Sequence, residues 1–145
     1  MPCRYSRFLL FLSLCMPIFV MGADKPVVSP DSIPGTTKVD AEGVLQLVEK
    51  LPRLVVIDAR IVSDRLQGYI EDSISLPDIN TSCDSLKKIA PDRATPLLFY
   101  CNGPKCGRSA KSAQKAIACG HTRLYWFRGG FEEWRAKGYP TVKDR

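Results

Sequence analysis

Apolar residues along this chain of 145 residues follow two alternating patterns. Short runs of β-branched and apolar residues predict strands at residues 36–39, 54–58, 74–76, 96–100 and 124–127. The run that begins at Leu54 is continuously apolar up to Asp58, which is typical of a strand covered on both faces. Between them, apolar residues at helical spacing predict helices at 41–50, 82–89, 108–118 and 131–137, with a helical turn at 64–67. Strands that alternate with helices predict an α/β domain with a mainly parallel central sheet and helices on both of its faces.

Residues at the ends of these elements support the assignment. Asp40 is a typical N-cap residue for the first helix, and Gly120 is a typical residue at which a helix ends. Trp126 and Trp134 are expected to fill the core. His121 directly follows the end of a helix, and we expect it to be exposed.

The N-terminus carries a targeting pattern. Arg4 and Arg7 precede a continuous apolar run that is short for a membrane span. This pattern predicts a secretory signal peptide at residues 1–22, with an uncleaved anchor helix as the alternative. Residues 23–35 contain three prolines and predict an irregular tether, which leaves a domain at residues 36–145. We therefore expect a periplasmic or secreted protein that meets the membrane only through its signal peptide.

The charge of the chain is mildly basic. The formal net charge is +6, and it becomes +4 when Arg4 and Arg7 leave with the signal peptide. The remaining sequence has no run of lysines or arginines and no aromatic residues interleaved with them, as a nucleic-acid surface would require. Solvated surface charge is therefore the favoured interpretation, with a modest preference for small anionic substrates and no nucleic-acid partner.

Four of the six cysteines lie outside the predicted signal peptide: Cys83, Cys101, Cys106 and Cys119. An oxidising compartment permits disulfides, and four cysteines allow three complete pairings among which the sequence does not choose. There is no Cys-x-x-Cys motif and His121 is the only histidine, so neither a metal nor another cofactor is expected. Cys83 and Cys119 are interpreted as packing residues.

The loop after the strand at 96–100 carries the strongest chemical signal. Cys101 ends this apolar strand, and a glycine-containing loop then leads to a helix that begins at Arg108. A helix N-terminus and the amides of such a loop bind anions, and they lower the pKa of a thiol. Cys101 is therefore the candidate nucleophile, with a buried core thiol as the alternative. The predicted substrate-binding loop consists of Asn102, Gly103, Pro104, Lys105, Cys106, Gly107 and Arg108.

Four segments follow one another in a distinctive order. They are Val56-Ile57-Asp58-Ala59-Arg60, Gln67-Gly68-Tyr69-Ile70-Glu71-Asp72-Ser73-Ile74-Ser75-Leu76-Pro77, Phe99-Tyr100-Cys101, and Leu124-Tyr125-Trp126-Phe127-Arg128-Gly129-Gly130-Phe131-Glu132-Glu133-Trp134. They resemble the Asp-x-Arg, Gly-His-Ile-x-Gly-Ala-x-x-x-Pro, catalytic-cysteine and Leu-x-Gly-Gly-x-x-x-Trp motifs of the rhodanese-homology domain, with Tyr69 in place of the histidine. The resemblance covers about residues 37–142 and implies a rhodanese-like fold.

The resemblance also implies an activity, that of a sulfurtransferase. Cys101 would take a sulfane sulfur from a small sulfur-containing anion, such as thiosulfate or a polysulfide, and hold it as a persulfide. A thiol, cyanide or sulfite would then accept the sulfur, which implies ping-pong kinetics. Asp58 and Arg60 would support the site by bracing neighbouring loops, whereas a surface ion pair is the alternative for them.

The loop departs from the family pattern in its length. Arg108 lies seven residues after Cys101, so the Cys-x5-Arg spacing of the phosphatase relatives is not met. The segment Gly103-Pro104-Lys105-Cys106 resembles a subgroup with Cys-x-Gly-Pro-x-Cys. Cys106 is either a bystander or a resolving thiol that attacks a persulfide or sulfenic acid on Cys101 and forms a disulfide. Two alternative functions therefore remain: a thiol–disulfide redox protein that uses both cysteines, and a non-catalytic module that binds an anion or a partner.

Overall fold

Strands and helices alternate along residues 28–143, the part of the chain that the computed structural model describes. The strands are β1 (Thr37–Val39), β2 (Val55–Asp58), β3 (Ile74–Ser75), β4 (Leu97–Tyr100) and β5 (Leu124–Phe127). The helices are α1 (Ala41–Lys50), α2 (Val62–Arg65), α3 (Cys83–Ile89), α4 (Arg108–Ala118) and α5 (Gly130–Ala136). The predicted signal peptide lies outside the described residues.

The five described strands form one parallel sheet in the order β1-β5-β4-β2-β3. β4 occupies the centre, and its last residue, Tyr100, is in register with Asp58 at the end of β2. The carboxyl ends of the central strands therefore meet at one edge, where parallel α/β domains place their ligands. The prediction of a mainly parallel sheet is confirmed.

Both faces of the sheet are covered, because side chains alternate between the faces along each strand. Phe99 and Trp126 pack on one face with small residues of α4, among them Ala113. Tyr100 and Trp134 pack on the opposite face, together with residues of α1 and α5. The predicted helices on both faces and the predicted core positions of the two tryptophans are confirmed.

The two cysteines outside the loop between β4 and α4 form a disulfide, a pairing that the sequence left open. Their Cα atoms lie 5.3 Å apart; Cys119 packs against the core as predicted, whereas Cys83 is exposed. Cys83 is the first residue of α3 and Cys119 caps the end of α4. The two cysteines meet because α3 and α4 lie side by side on one face of the sheet, which places the start of α3 next to the end of α4.

The prediction of an exposed His121 is wrong. After Gly120, the chain turns at the end of α4, and the N–H of His121 donates to the carbonyl of Ala116. His121 is only 7 % exposed as a result. Burial, reinforced by the charge of Arg93, lowers the pKa of His121. The turn thus buries the side chain of His121, which the local sequence predicts to be exposed to solvent.

The described part of the predicted tether, residues 28–35, is irregular but packs against the domain. Ile33 is buried in the core cluster that includes α4. The N–H of Ser29 donates to the carbonyl of Pro104 at 3.3 Å, so this segment also contacts the loop between β4 and α4. No helix in residues 28–143 is long and apolar enough to cross a membrane.

Candidate active site

Cys101 lies at the carboxyl end of β4 and is 1 % exposed. Its carbonyl accepts a hydrogen bond of 2.8 Å from the N–H of Phe131, and the carbonyl of Asn102 accepts one of 2.7 Å from the N–H of Glu132. The start of α5 therefore holds the first residues of the loop. Gly130 makes this approach possible, because a Cβ atom there would clash with the Cys101 carbonyl and its φ is +60°.

A second disulfide closes the loop on itself. Cys101 and Cys106 are bonded, with 6.2 Å between their Cα atoms. A turn in which the N–H of Cys106 donates to the carbonyl of Gly103 at 2.9 Å brings the two residues together. Of the three pairings that the sequence allows, the structure adopts the one that links cysteines within the loop and, separately, between α3 and α4.

The N-terminus of α4 points its amides toward this loop. Gly107 caps the helix, and within residues 28–143 the N–H groups of Gly107, Arg108 and Ser109 donate to no backbone carbonyl. The Ser109 hydroxyl faces the core instead, where it accepts a hydrogen bond from the indole of Trp126 at 3.0 Å. The unpaired amides and the helix dipole make this end suitable for a negative charge.

A cavity of about 530 Å³ opens beside the loop. Its polar side chains are those of Asp78, Asn102, Lys105, Arg108, Lys111 and Glu132. Cys106 lines the cavity, whereas Cys101 is not among its lining residues. Of the remaining predicted loop residues, Gly103 lies against Glu132 and Pro104 is exposed.

Asp58 and Arg60 form a buried ion pair behind the site rather than a surface pair. Arg60 Nη2 donates to Asp58 Oδ2 at 2.7 Å, and both side chains are at most 1 % exposed. Arg60 also donates to the carbonyl of Gly68 at 2.8 Å, and its guanidinium lies 4.3 Å from the ring centre of Phe131. Burial opposes the charge of Arg60, but the hydrogen bonds and charge of Asp58 outweigh it and raise the pKa of the guanidinium.

The sequence reasoning missed three members of this network: Arg65, Ser73 and Tyr100. The hydroxyl of Tyr100 donates to Asp58 Oδ2 at 2.8 Å, and Arg65 Nη1 donates to the same oxygen at 3.1 Å. Arg65 also reaches Ser73 Oγ at 2.9 Å. Burial and the neighbouring carboxylate raise the pKa of Tyr100 well above its ordinary value. The polar tip of Tyr100 within an otherwise apolar strand was the available signal.

Residues 28–143 contain no group of three histidine, cysteine or acidic side chains arranged to hold a metal ion. The fold brings together two cysteines, a helix N-terminus and a cavity with more cationic than anionic side chains. These features define an α/β protein with a cysteine-centred loop at the carboxyl end of its central strand.

The profile of the Rhodanese-like domain matches residues 40–137. The chain therefore belongs to the rhodanese-like domain family, and the resemblance predicted from its four motifs is confirmed.

Known proteins similar to the chain include sulfurtransferases. A sulfurtransferase of Allochromatium vinosum is 26 % identical over 105 residues, which cover 72 % of this chain and 94 % of that protein. An uncharacterized protein of Buchnera aphidicola subsp. Baizongia pistaciae is 32 % identical over 92 residues, or 61 % of this chain, and the match spans only 60 % of that relative. The crystal structure of a thiosulfate sulfurtransferase from Pseudomonas aeruginosa superimposes with a TM-score of 0.64 at 22 % identity, covering 76 % of this chain and 21 % of that one.

Proposed function

We propose that this protein is an exported sulfurtransferase that carries a sulfane sulfur as a persulfide on Cys101. The observation that carries the proposal is the position of Cys101, at the end of the central parallel strand and at the base of a loop that leads into the N-terminus of α4. Membership of the rhodanese-like family and a relative named as a sulfurtransferase support the reaction class.

The proposed reaction begins from the reduced loop. The Cys101 thiolate attacks the outer sulfur of thiosulfate, the sulfur–sulfur bond of the donor breaks, and sulfite leaves with the bonding electron pair. The persulfide on Cys101 is an anion, which the amides at the start of α4 and the side chain of Arg108 would stabilise. A thiol, cyanide or sulfite then attacks the outer sulfur, and the Cys101 thiolate is released.

Mass spectrometry of the reduced protein after treatment with thiosulfate or a polysulfide tests this proposal. A gain of one sulfur, about 32 Da, on Cys101 is expected. Trypsin cleaves after Lys105, which separates Cys101 from Cys106, so the modified residue can be assigned. Cys101→Ser should abolish transfer and Cys83→Ser should not. Transfer by Cys101→Ser at the wild-type rate would contradict the assignment, and full biological activity of a Cys101→Ser variant would favour the binding module.

Export is part of the same proposal. Arg4, Arg7 and the apolar run that follows support it, as does the disulfide between Cys83 and Cys119, because disulfides persist mainly in oxidising compartments. N-terminal sequencing of protein from the periplasm or the medium should find a chain that begins near residue 23. Recovery of only the intact chain from the cytosol would contradict export.

The Cys101–Cys106 disulfide favours a second candidate, a thiol–disulfide redox protein. The disulfide blocks Cys101, so sulfur transfer should require a reductant or an acceptor thiol. Cys106→Ala should remove the requirement while the persulfide still forms on Cys101. If the dithiol is oxidised and reduced readily but no persulfide forms with thiosulfate or polysulfide, the redox function is the correct one.

A further inference from the structure

The two sulfur atoms of the loop disulfide differ in their access to solvent. Cys101 is 1 % exposed, beneath the loop, whereas Cys106 is partly exposed and lines the 530 Å³ cavity. A nucleophile that enters through this cavity therefore meets Cys106 first. Access is one of the factors that decide which sulfur of a disulfide is attacked.

The cavity favours an anionic nucleophile. Its charged lining consists of three cations (Lys105, Arg108 and Lys111) and two carboxylates (Asp78 and Glu132). Arg108 Nε lies 3.5 Å from Asp78 Oδ1, so those two charges largely offset each other. Lys105 and Lys111 form no ion pair with another described residue, which leaves an excess of positive charge beside Cys106. Such an excess raises the local concentration of small sulfur anions.

We propose that the oxidised loop is itself a reactive state, which takes up an anionic sulfur nucleophile, hydrosulfide or a small thiolate, at Cys106. The nucleophile attacks Sγ of Cys106, a new sulfur–sulfur bond forms there, and the Cys101–Cys106 bond breaks. Its electron pair leaves on Cys101 as a thiolate. With hydrosulfide, Cys106 becomes a persulfide, and the two electrons that oxidise the incoming sulfur have been accepted by the disulfide.

The surroundings of the loop disulfide favour the departure of a thiolate. Cys106 directly precedes the N-cap of α4, Gly107, and the N–H groups of Gly107, Arg108 and Ser109 at this helix end have no backbone acceptor. A helix N-terminus lowers the pKa of a thiol, and a thiol of lower pKa leaves faster. The helix N-terminus thus favours opening of the disulfide, and the difference in access selects attack at Cys106.

The second step connects this reaction to the proposed function, on which it rests. The Cys101 thiolate attacks the outer sulfur of the Cys106 persulfide, so that Cys101 gains the persulfide and Cys106 returns to a thiol. The disulfide itself demonstrates that the two sulfur atoms can reach each other. The oxidised loop would then convert hydrosulfide into the same Cys101 persulfide that the reduced loop obtains from thiosulfate, with the disulfide as the oxidant, which is consumed once per sulfur.

Rapid trapping of the oxidised protein tests the direction of attack. Wild-type protein, first equilibrated with oxidised glutathione to form the disulfides, is mixed with a limiting amount of hydrosulfide or of reduced glutathione. It is then quenched with iodoacetamide and digested after Lys105. At the earliest times the adduct on Cys106 should exceed that on Cys101 by at least about tenfold, because attack follows access. The hydrosulfide adduct should then move to Cys101.

A first adduct on Cys101, an equal distribution of adduct between Cys101 and Cys106, or free Cys101 and Cys106 thiols after the oxidation step would each overturn the proposal. None of these outcomes bears on thiosulfate transfer by the reduced protein. Conversely, failure of that transfer would leave trapping at Cys106 intact.

Discussion

Replacement of Asp58 should cost a large part of the stability of the fold. Its carboxylate accepts hydrogen bonds from the side chains of Arg60, Arg65 and Tyr100, and it is fully buried. Asp58→Asn keeps the shape of the side chain but removes its charge. The guanidinium of Arg60, which is 1 % exposed, is then left without a counter-ion, and an amide NH₂ group replaces one of the accepting oxygens.

The magnitude follows from the burial of the pair. Removing one partner of a buried ion pair costs about 3–5 kcal/mol, because the remaining charge cannot return to water. Arg65 is only partly buried and retains its bonds to Ser73, so the lower end, about 3 kcal/mol, is expected. A domain of this kind has a total stability of about 5–15 kcal/mol, so the loss is a large fraction of it.

Urea unfolding of the oxidised protein measures this loss. With a slope of about 1–3 kcal/mol per molar urea, the midpoint should fall by ~1–3 M. The matched control is Asp92→Asn, because the ion pair of Asp92 with Arg53 has a similar N–O distance, 2.9 Å, but exposed side chains. The control should leave the midpoint nearly unchanged. If Asp58→Asn shifts the midpoint no more than Asp92→Asn does, with the same slope, the buried network does not stabilise the fold as argued.

Three further outcomes are expected. Gly130→Ala should lower both the unfolding midpoint and the persulfide yield, because its Cβ would clash with a carbonyl of the active-site loop, whereas Gly138→Ala, with a similar positive φ but no neighbour within 4 Å, should keep the yield. Burial lowers the pKa of His121 below its unfolded value of 6.5, so stability should decline as the pH falls through that region. His121→Asn should flatten this decline in urea midpoints measured between about pH 5 and 8. The double variant Cys83→Ser/Cys119→Ser should lose about 2–4 kcal/mol in the same assay while its persulfide still forms; an unchanged midpoint would show that this disulfide is dispensable.

The elements were predictable because their signals are local. The strand at Leu97–Tyr100 is a continuous apolar run, and α1 begins after Asp40, whose carboxylate accepts the hydrogen bond of an N-cap from Gly43. α2 was predicted two residues too late, since Val62–Arg65 has no side-chain cap and is too short to show a helical period. Local signals therefore predicted which segments form strands and helices, but not how distant segments pack against one another.

The same distinction between local signals and long-range packing applies to the candidate site. Cys101 could be selected as the candidate nucleophile because strand end, loop and helix are consecutive in the sequence. The hydrogen-bond partners of Asp58 could not be predicted, because Tyr100 reaches Asp58 only through the register of β2 against β4. The pairing of Cys83 with Cys119 and the burial of His121 likewise depend on how α4 packs, which no single segment records.

Cys106 decides which chemistry the loop performs, because the rest of the site suits both candidate functions equally. A helix N-terminus that stabilises a persulfide anion on Cys101 also stabilises the Cys101 thiolate when a disulfide is broken. Under either candidate function, the same positive charge beside the cavity would raise the local concentration of thiosulfate and hydrosulfide alike. As proposed above, the oxidised loop would shield Cys101 and receive the nucleophile at the partly exposed Cys106, whereas the reduced loop would leave Cys101 free to react with a donor. The sulfur chemistry of this loop should therefore follow the oxidation state of its surroundings.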